Sequence, residues 1–398
     1  MQDSRGGRRV VITGLGVLAP HGTGLDAFWE GLGVLAETER ERKVADFDPK
    51  EYGLKHTDAR RLDRFAQLGY AAAKMAVDDA FGDAGLEQYD AWRRGVVMGT
   101  GIGGAYAWEG NAAVLGEKGE KGVSPLVVPM VMPNAASAAI SMRLGMRGPV
   151  ETVTTACASG THAIGNGAKL IAAGRSDVVL AGGSEACQTG VMRGGFDNMK
   201  ATSPSGISRP FDVQRDGFCS AEAGGVLVLE EYEAAKARGA TIYAEVVGAG
   251  STADAHHITA PDPDGDGALH CMKFALEDAG LSLSDITQIN AHGTSTPLND
   301  AAESAAVTRL FGDHRPAMTS IKGVTGHSLG AAGAIEGIAL ALSFKHGKIP
   351  PTMATTEVDP KIDADIVLEW RDWEPAPALS NSFAFGGHNG SVIFAPVD

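Results

Sequence analysis

The feature that most constrains the fold of this chain is an internal repeat of helix and strand patterns. Residues 83–86 read Asp-Ala-Gly-Leu at the end of a helical pattern, and the strand pattern that follows ends at Thr100. The same four residue types recur at 278–281, and the next strand pattern ends at Thr294 after almost the same interval. Units that recur in order along a chain are typical of a duplicated fold.

A second match lies in the same order in both parts of the chain. Cys157 and His327 each precede a helical pattern rich in small residues, and each is followed by glycine three residues later. The two matches together predict two similar halves. Residues 8–249 form the half with Cys157, and residues 250–397 form the half with His292 and His327. No low-complexity linker separates the halves, so we expect them to share one core.

Strand-like runs alternate with helical patterns along the whole chain, which predicts an α/β protein with buried sheets. The runs that we interpret as strands are Val10–Gly16, Arg94–Met98, Val150–Ala156, Val178–Ala181 and Gly225–Leu229. Gly14, Gly16 and Ala19 also satisfy the G-x-G-x-x-A pattern of dinucleotide-binding folds, but Pro20 follows where that site needs a helix to begin. We therefore interpret this segment as a structural turn.

Charge and cysteine content exclude several classes of function. The charged side chains sum to 34 − 49 = −15, so the chain has no basic surplus with which to bind nucleic acid generally. An acidic protein partner stays compatible with this charge if a local basic patch faces it. Four cysteines without a C-x-x-C pair indicate reduced thiols rather than a disulfide framework or a zinc site. The cysteines also lack a close Cys/His ligand spacing, so we expect no metal, and reduced thiols favour the cytoplasm. Prolines interrupt the uncharged stretch Gly122–Met142, so we expect no membrane segment.

The strongest chemical candidate is Cys157, which lies between a β-branched run and a helical pattern. The free amides and partial positive charge at a helix start favour a thiolate, so we expect a nucleophilic sulfur at neutral pH. The same amides could hold the oxyanion that forms when this sulfur attacks a carbonyl. An inert buried cysteine is the alternative interpretation. The position of Cys157 opposite His327 in the repeat favours the nucleophile.

Two histidines next to glycine, His292 and His327, are candidates for the same site. A neighbouring glycine lets a substrate or a loop approach the ring closely, although either histidine could instead be structural. Lys322 lies shortly before His327, and Glu336 lies in the helical pattern after it. Such a pair could orient a histidine and set its protonation, or it could form a surface salt bridge.

Four segments resemble, in order, the motifs of β-ketoacyl-acyl-carrier-protein synthases of the synthase II type: TTACASG, NAHGTSTPLNDAAE, KGVTGHSLGAAGA and NSFAFGGHNG. The similarity runs from VVITGLGV near the N-terminus to the C-terminus. The resemblance implies a thiolase-like five-layered αβαβα fold of two duplicated halves, assembled as a homodimer or a close heterodimer. It also implies a 3-oxoacyl-acyl-carrier-protein synthase with no cofactor of its own, because phosphopantetheine arrives on the carrier protein.

The resemblance implies a role for each catalytic group. Cys157 would take the acyl chain from a carrier-protein thioester. His292 and His327 would bind the malonyl thioester oxygen or assist the departing carboxylate as carbon dioxide leaves. The resulting carbanion would attack acyl-Cys157, whose oxyanion the amides of Cys157 and Phe385 would hold. A fatty acyl, polyketide or polyene chain would thereby grow by two carbons.

The resemblance also implies supporting and binding residues. Thr294 and Thr296 would hydrogen-bond the phosphopantetheine arm, and Phe385 with Phe383 would form the gate of the acyl pocket. Lys322 and Glu336 would order the histidines. The acyl tunnel would be lined by Ile102, Phe196 and the partner subunit's Val127. The acidic carrier protein would dock on four basic residues, Arg60, Arg61, Arg64 and Lys200.

Some residues depart from the family pattern. Ala384 stands where the family usually has glycine, His388 replaces a usual threonine, and Val127 replaces a bulkier residue, which would widen the tunnel. A housekeeping fatty-acid enzyme and a ketosynthase of a type II polyketide or polyene pathway both stay open. The alternative function is a non-catalytic partner that sets chain length in a ketosynthase heterodimer. Such partners lack the nucleophile, so Cys157 argues against it. A degradative thiolase would need a second reactive cysteine, and Cys271 lies outside any such motif.

Overall fold

The computed structural model describes residues 7–397, and the two halves are visible in the order of their elements. The strands of the first half are β1 Val10–Ala19, β2 Gly22–Thr23, β3 Glu41–Arg42, β4 Arg94–Gly99, β5 Val150–Val153, β6 Val178–Glu185, β7 Ser220–Ala221 and β8 Ala223–Glu231. Its helices are α1 Leu25–Gly31, α2 His56–Ala59, α3 Arg64–Phe81, α4 Ala105–Lys118, α5 Val127–Val131, α6 Ala135–Leu144, α7 Ser159–Ala172, α8 Gly190–Asn198 and α9 Tyr232–Ala237.

The second half repeats the alternation with fewer insertions. Its strands are β9 Ala244–Ala253, β10 Gln288–Asn290, β11 Ala317–Thr319, β12 Lys348–Ile349, β13 Asp365–Ile366, β14 Arg371–Asp372, β15 Ala378–Ala384 and β16 His388–Ala395. Its helices are α10 Asp266–Ala279, α11 Pro297–Phe311, α12 Lys322–Thr325 and α13 Ala332–His346.

Each half contributes five strands to the large sheet, and the five have the same spatial order in both halves. Numbered one to five within each half, both sets run 3-2-4-5-1, which is β5-β4-β6-β8-β1 in the first half and β11-β10-β15-β16-β9 in the second. In both sets strands three, two and four are parallel, and strand five is antiparallel to its two neighbours. The two sets join through β1 and β9, where Val11 lies opposite Glu245. The predicted duplication is confirmed.

Helices α7 and α13 lie between the two halves, because each of them contacts strands of both. The residues of α13 from Ala332 to Phe344 are all buried, as expected for a helix that is apolar on every side. Helix α3 packs against β1 and β8 on the outside of the first half, and α10 packs against β9 and β16 on the outside of the second. The layers therefore follow the expected αβαβα order.

Glycine lets the two central elements approach each other closely. A Cβ atom on Gly160 of α7 would lie 2.7 Å from the backbone nitrogen of Ala334 and 3.0 Å from the carbonyl oxygen of Gly330. A side chain at this position would force the start of α7 away from the start of α13. The turns that carry Cys157 and His327 immediately precede these two helix starts, so this contact brings them together.

The structure places both the expected N-terminal turn and the predicted change between the two halves inside strands. Gly14 and Gly16 lie inside β1 and not in a turn; a Cβ on Gly16 would lie 2.0 Å from the carbonyl oxygen of Ala72 in α3. Their role is close packing of helix on strand. The second half begins with β9 at Ala244, a few residues before the predicted change from residue 249 to 250.

No helix between residues 7 and 397 is both long enough and apolar enough to cross a membrane. The uncharged stretch Gly122–Met142 contains α5 and most of α6. Residues 132–134, which include Pro133, separate the two helices.

Candidate active site

Equivalent turns of the two halves present Cys157 and His327. Strand β5 ends at Val153, a short 3-10 turn spans Ala156–Ala158, and α7 begins at Ser159. Ala156, directly before Cys157, has φ 48°, and Gly326, directly before His327, has φ 70°. Left-handed backbone costs a non-glycine residue roughly 1–2 kcal/mol. Both residues have a positive φ directly before the functional side chain, which is a local similarity between the two turns in addition to the repeated strand order.

The thiol of Cys157 is buried and protonated in the resting protein. Burial raises the pKa of Cys157 to about 12, although the charge of Lys322 and the backbone amides of Phe385 and of Cys157 itself act to lower it. The expectation of a thiolate at neutral pH is therefore wrong, because desolvation outweighs the few amides at the start of α7. The sulfur lies 3.1 Å from Nε2 of His327. This imidazole is placed to take the proton as the sulfur attacks.

Both histidines are buried beside the thiol. The rings of His292 and His327 are 5.3 Å apart between centroids, with an 82° angle between their planes. Burial, followed by the positive charge of Lys322, holds the pKa of each histidine well below its usual value. At neutral pH both rings are uncharged, so each can donate one N–H to an oxygen and accept at its other nitrogen.

Lys322 and Glu336 form an ion pair directly behind His292. Both side chains are only 1% exposed, and the Lys322 ammonium contacts a Glu336 carboxylate oxygen. The ammonium also donates to the backbone oxygen of His292 at 2.5 Å and lies 3.4 Å from His292 Nδ1. An ammonium only donates, so Nδ1 must accept and Nε2 carries the proton. Lys322 thus fixes His292 as a hydrogen-bond donor toward the cavity.

The same fixed tautomer argues against a metal at this site. Ligand atoms of Cys157, His292 and His327 all lie within 4.8 Å of one another, a spacing that a metal ion could bridge. A metal-bound histidine normally donates its other N–H to a carboxylate or carbonyl. His292 instead faces the Lys322 ammonium with that nitrogen, so the trio suits hydrogen bonding to an oxygen better than metal ligation.

The turn after β15 brings a second amide to the sulfur. The backbone N–H of Phe385 acts on the thiol of Cys157 and lowers its pKa, as does the N–H of Cys157. The turn continues through Gly386 at φ 81° and Gly387 at φ 72°. Ala384 has φ −113°, an extended conformation that any residue adopts, so alanine is unstrained at that position. The two amides converge where an oxyanion would form.

A cavity of about 340 Å³ connects these groups with the surface. Cys157, His292 and His327 line its inner end, together with the gate residues Phe383 and Phe385. Thr294, Thr296 and exposed Lys200 line it farther out, and the two threonine hydroxyls lie 2.9 Å apart. A cavity that carries two hydroxyls on its wall and reaches the thiol suits a flexible polar arm that ends at the sulfur.

Two of the residues expected to line the acyl tunnel pack around the sulfur. Ile102 and Phe196 pack with Cys157, Cys187 and Leu329 in one apolar cluster. Val127 does not belong to this cluster; it starts α5, whose neighbours Leu126, Val128 and Met132 are exposed. Within one subunit the structure therefore brings two of the three expected tunnel residues to the sulfur.

The basic residues expected to dock the carrier protein differ in exposure and in ion pairing. Arg60 and Arg61 are exposed at the end of α2. Arg64 instead forms a two-pronged ion pair with buried Glu222, at 2.6 and 2.7 Å, and Glu222 raises the pKa of Arg64. Arg64 is therefore less free than Arg60 and Arg61 to bind a carrier protein, although its side chain is still 30% exposed, and its docking role stays a prediction.

Sequence reasoning missed two buried carboxylates next to the site. Glu303 on α11 accepts hydrogen bonds from the amides of His292 and Gly293, at 2.8 and 2.7 Å. Glu185, at the end of β6, accepts from the loop after β4 and from the amide of Gly330. Glu303 lies within the quoted motif that contains His292, which was an available signal. An acidic residue at the end of the apolar run of β6 was the signal for Glu185.

Comparisons with known proteins agree with this geometry. Sequence models described as the N-terminal and the C-terminal domain of β-ketoacyl synthase match residues 33–235 and 243–356. The 3-oxoacyl-[acyl-carrier-protein] synthase 2 of Synechocystis sp. is 41% identical, covering 97% of this chain and 98% of its own length.

Two solved structures extend the likeness to the whole fold. The ishigamide ketosynthase/chain length factor has a TM-score of 0.91 and 34% identity, covering 98% of this chain and 100% of its own. A ketosynthase solved with its type II polyketide acyl carrier protein and bound to a hexaketide has a TM-score of 0.87 and 31% identity, with the same coverage. The chain therefore belongs to the β-ketoacyl synthase family.

Proposed function

We propose that this chain is a 3-oxoacyl-acyl-carrier-protein synthase that joins a malonyl unit to an acyl chain held on Cys157, with loss of carbon dioxide. The observation that carries the proposal is the convergence of the Cys157 thiol, the His327 and His292 rings and two backbone amides at the inner end of one cavity. These groups supply a nucleophile, a base, donors for an enolate and donors for an oxyanion.

Acylation begins with the neutral thiol. The Cys157 sulfur attacks the thioester carbonyl of the acyl carrier while its proton passes to Nε2 of His327, 3.1 Å away. The amides of Cys157 and Phe385 stabilise the oxyanion, and the intermediate collapses with cleavage of the bond to the pantetheine sulfur. That sulfur leaves with the proton from His327, so the enzyme ends as a neutral thioester.

Condensation follows when a second carrier delivers malonate. The bond to the malonyl carboxylate breaks and carbon dioxide leaves, while the thioester oxygen gains charge that the Nε2–H of His292 stabilises. Once Cys157 is acylated it has no proton to give to His327 Nε2, so His327 adds a second N–H donor in the tautomer that carries its proton on Nε2. The new carbanion attacks the acyl-Cys157 carbonyl, and the sulfur leaves and takes up one proton. Each cycle therefore consumes one proton and releases one carbon dioxide, one 3-oxoacyl carrier and the first carrier with a free thiol.

The cavity supports a role for a carrier-borne arm. Thr294 and Thr296 offer hydroxyls to phosphopantetheine, and the apolar cluster of Ile102 and Phe196 accommodates the acyl chain, at roughly 0.8 kcal/mol for each buried methylene. No cofactor of the enzyme's own enters this scheme. Exposed Arg60, Arg61 and Lys200 would attract an acidic carrier protein despite the net charge of −15.

The assembly and the pathway are part of the proposal. One similar ketosynthase was solved with its acyl carrier protein, and another with a chain length factor. We propose a carrier-protein partner and a dimer, either of this chain with itself or with a chain-length partner, that elongates a fatty acyl or polyketide chain. The alternative role as a non-catalytic partner is disfavoured by the nucleophile. Four unpaired cysteines suit the reducing cytoplasm.

Mass spectrometry of the purified protein tests the proposal. Incubation with an acyl carrier protein should add one acyl group, and peptide mapping should place it on Cys157. The Cys157→Ala variant should stay unmodified, whereas Cys271→Ala, which removes another buried cysteine in α10, should be acylated normally. Acylation of the Cys157→Ala variant would show that another residue is the nucleophile.

A further inference from the structure

The carboxylate of Glu185 binds both halves of the protein together beside the nucleophile. It accepts hydrogen bonds from the Thr100 hydroxyl at 3.0 Å and from the amides of Gly101 at 2.6 Å and Ile102 at 3.3 Å. From the second half it accepts the amide of Gly330 at 3.1 Å. Four donors on one carboxylate leave little freedom to the loops that carry them.

The loops held by Glu185 form the acyl side of the site. Ile102 is itself bound by the carboxylate, and Leu329 directly precedes Gly330. Both side chains pack with Cys157 in the apolar cluster. Leu329 has φ 43°, so the second loop is held in a conformation that a leucine rarely adopts. Movement of either loop would change the walls that meet the acyl chain.

Glu185 depends on these donors for its charge. It is completely buried, and among residues 7–397 no lysine or arginine forms an ion pair with it. Burial raises the pKa of Glu185 to about 7, while the amides of Gly101, Gly330 and Ile102 and the Thr100 hydroxyl act to lower it. Burial alone disfavours the charged form of this carboxylate, so the four hydrogen bonds are what favour it.

Glu303 does the same for the opposite side of the site. It holds the amides of His292 and Gly293, which follow β10, the strand equivalent to β4 in the repeat. Burial raises the pKa of Glu303 to about 7 as well. Two buried carboxylates thus hold the loops after equivalent strands, although they come from a strand end in one half and a helix in the other.

We infer that Glu185 is a positioning residue for acylation, holding the acyl-pocket walls around Cys157, while His292 on the malonyl side is held by Glu303. The inference rests on the proposed function and deepens it by dividing the two half-reactions between two supports. Glutamine in place of Glu185 has the same shape, but its amide group presents N–H donors where the native oxygens accept.

The experiment compares two rates in one enzyme. The first is acylation of Cys157 by an acyl carrier, followed by mass spectrometry in a single turnover, and the second is carbon dioxide release from a malonyl carrier without an acyl donor. In Glu185→Gln, the ratio of acylation to decarboxylation should fall by about tenfold to a hundredfold. In the matched variant Glu303→Gln, the ratio should rise, because that carboxylate holds the His292 amide. Restoring a carboxylate with Glu185→Asp should recover part of the ratio.

The outcomes separate the inference from the proposed function. A wild-type protein that is never acylated contradicts the proposed function. A wild-type protein that is acylated, with an unchanged ratio in folded Glu185→Gln, overturns the role of Glu185. If thermal melting shows that Glu185→Gln does not fold, Thr100→Val decides, since it removes one donor to the same carboxylate and leaves the charge in place. An unchanged ratio in Thr100→Val then overturns the inference, and a smaller fall supports it.

Discussion

Removing either charge of the buried Lys322–Glu336 pair should destabilise the fold severely. Both side chains are 1% exposed, so neither charge can recover its hydration when its partner is lost. Breaking a pair of this kind costs about 3–5 kcal/mol. Total stabilities of proteins are typically only about 5–15 kcal/mol. Lys322→Met and Glu336→Gln should each show this loss in urea unfolding at constant slope.

The double variant Lys322→Met/Glu336→Gln leaves neither charge uncompensated. It should therefore be destabilised by less than the sum of the two single variants, with an interaction energy of about 2–3 kcal/mol. Costs that add within about 0.5 kcal/mol would mean that neither charge depends on the other.

The pH dependence of Lys322→Met provides an internal check. Burial already raises the pKa of Glu336, and loss of the Lys322 charge, which acts to lower it, should raise it further. A carboxyl group with a raised pKa in the folded state contributes its stability fully below its unfolded pKa and loses it as pH rises through the folded value. The destabilisation of Lys322→Met should thus be smallest in acid and grow toward neutral pH.

Three further predictions concern the chemistry. His292→Ala should lower the rate of malonyl decarboxylation by about 10²–10³, measured as carbon dioxide release, while acylation of Cys157 persists; equal loss of both reactions would contradict the assigned donor role. Because burial raises the pKa of Cys157 to about 12, its alkylation by iodoacetamide without substrate should accelerate about tenfold per pH unit from pH 7 to 10, and a plateau below pH 8 would disprove a buried neutral thiol. Val127→Phe should shift products toward shorter chains, measured by mass spectrometry of the carrier-bound products, and an unchanged distribution would remove Val127 from the tunnel.

The duplicated fold could be predicted because its signals are local and occur twice. The intervals from residues 83–86 to Thr100 and from 278–281 to Thr294 reflect a helix, a link and a strand, whose lengths the layered fold fixes in both halves. The convergence of Cys157 and His327 followed from their equivalent places in the repeat. Close packing at Gly160, which sequence leaves unspecified, then sets how near the two turns come.

The electrostatics of the site could not be predicted in the same way. The free amides before α7 are visible in the sequence pattern, but the desolvation that raises the pKa of Cys157 depends on residues from both halves that cover it. Arg64 resembled a surface cation because its partner, Glu222, lies 158 positions away in the chain. Glu185 likewise acquires its role from Gly330, 145 positions later.

In the proposed mechanism one site, built on Cys157 and two neutral histidines, couples loss of carbon dioxide to formation of a carbon–carbon bond. The direct measurement supplies an acyl carrier and a malonyl carrier labelled at its free carboxyl group, and counts label and product together. We expect one labelled carbon dioxide for each 3-oxoacyl carrier formed, with no 3-oxoacyl product from Cys157→Ala. Product that retains the label, or product formed by Cys157→Ala, would contradict the proposed mechanism.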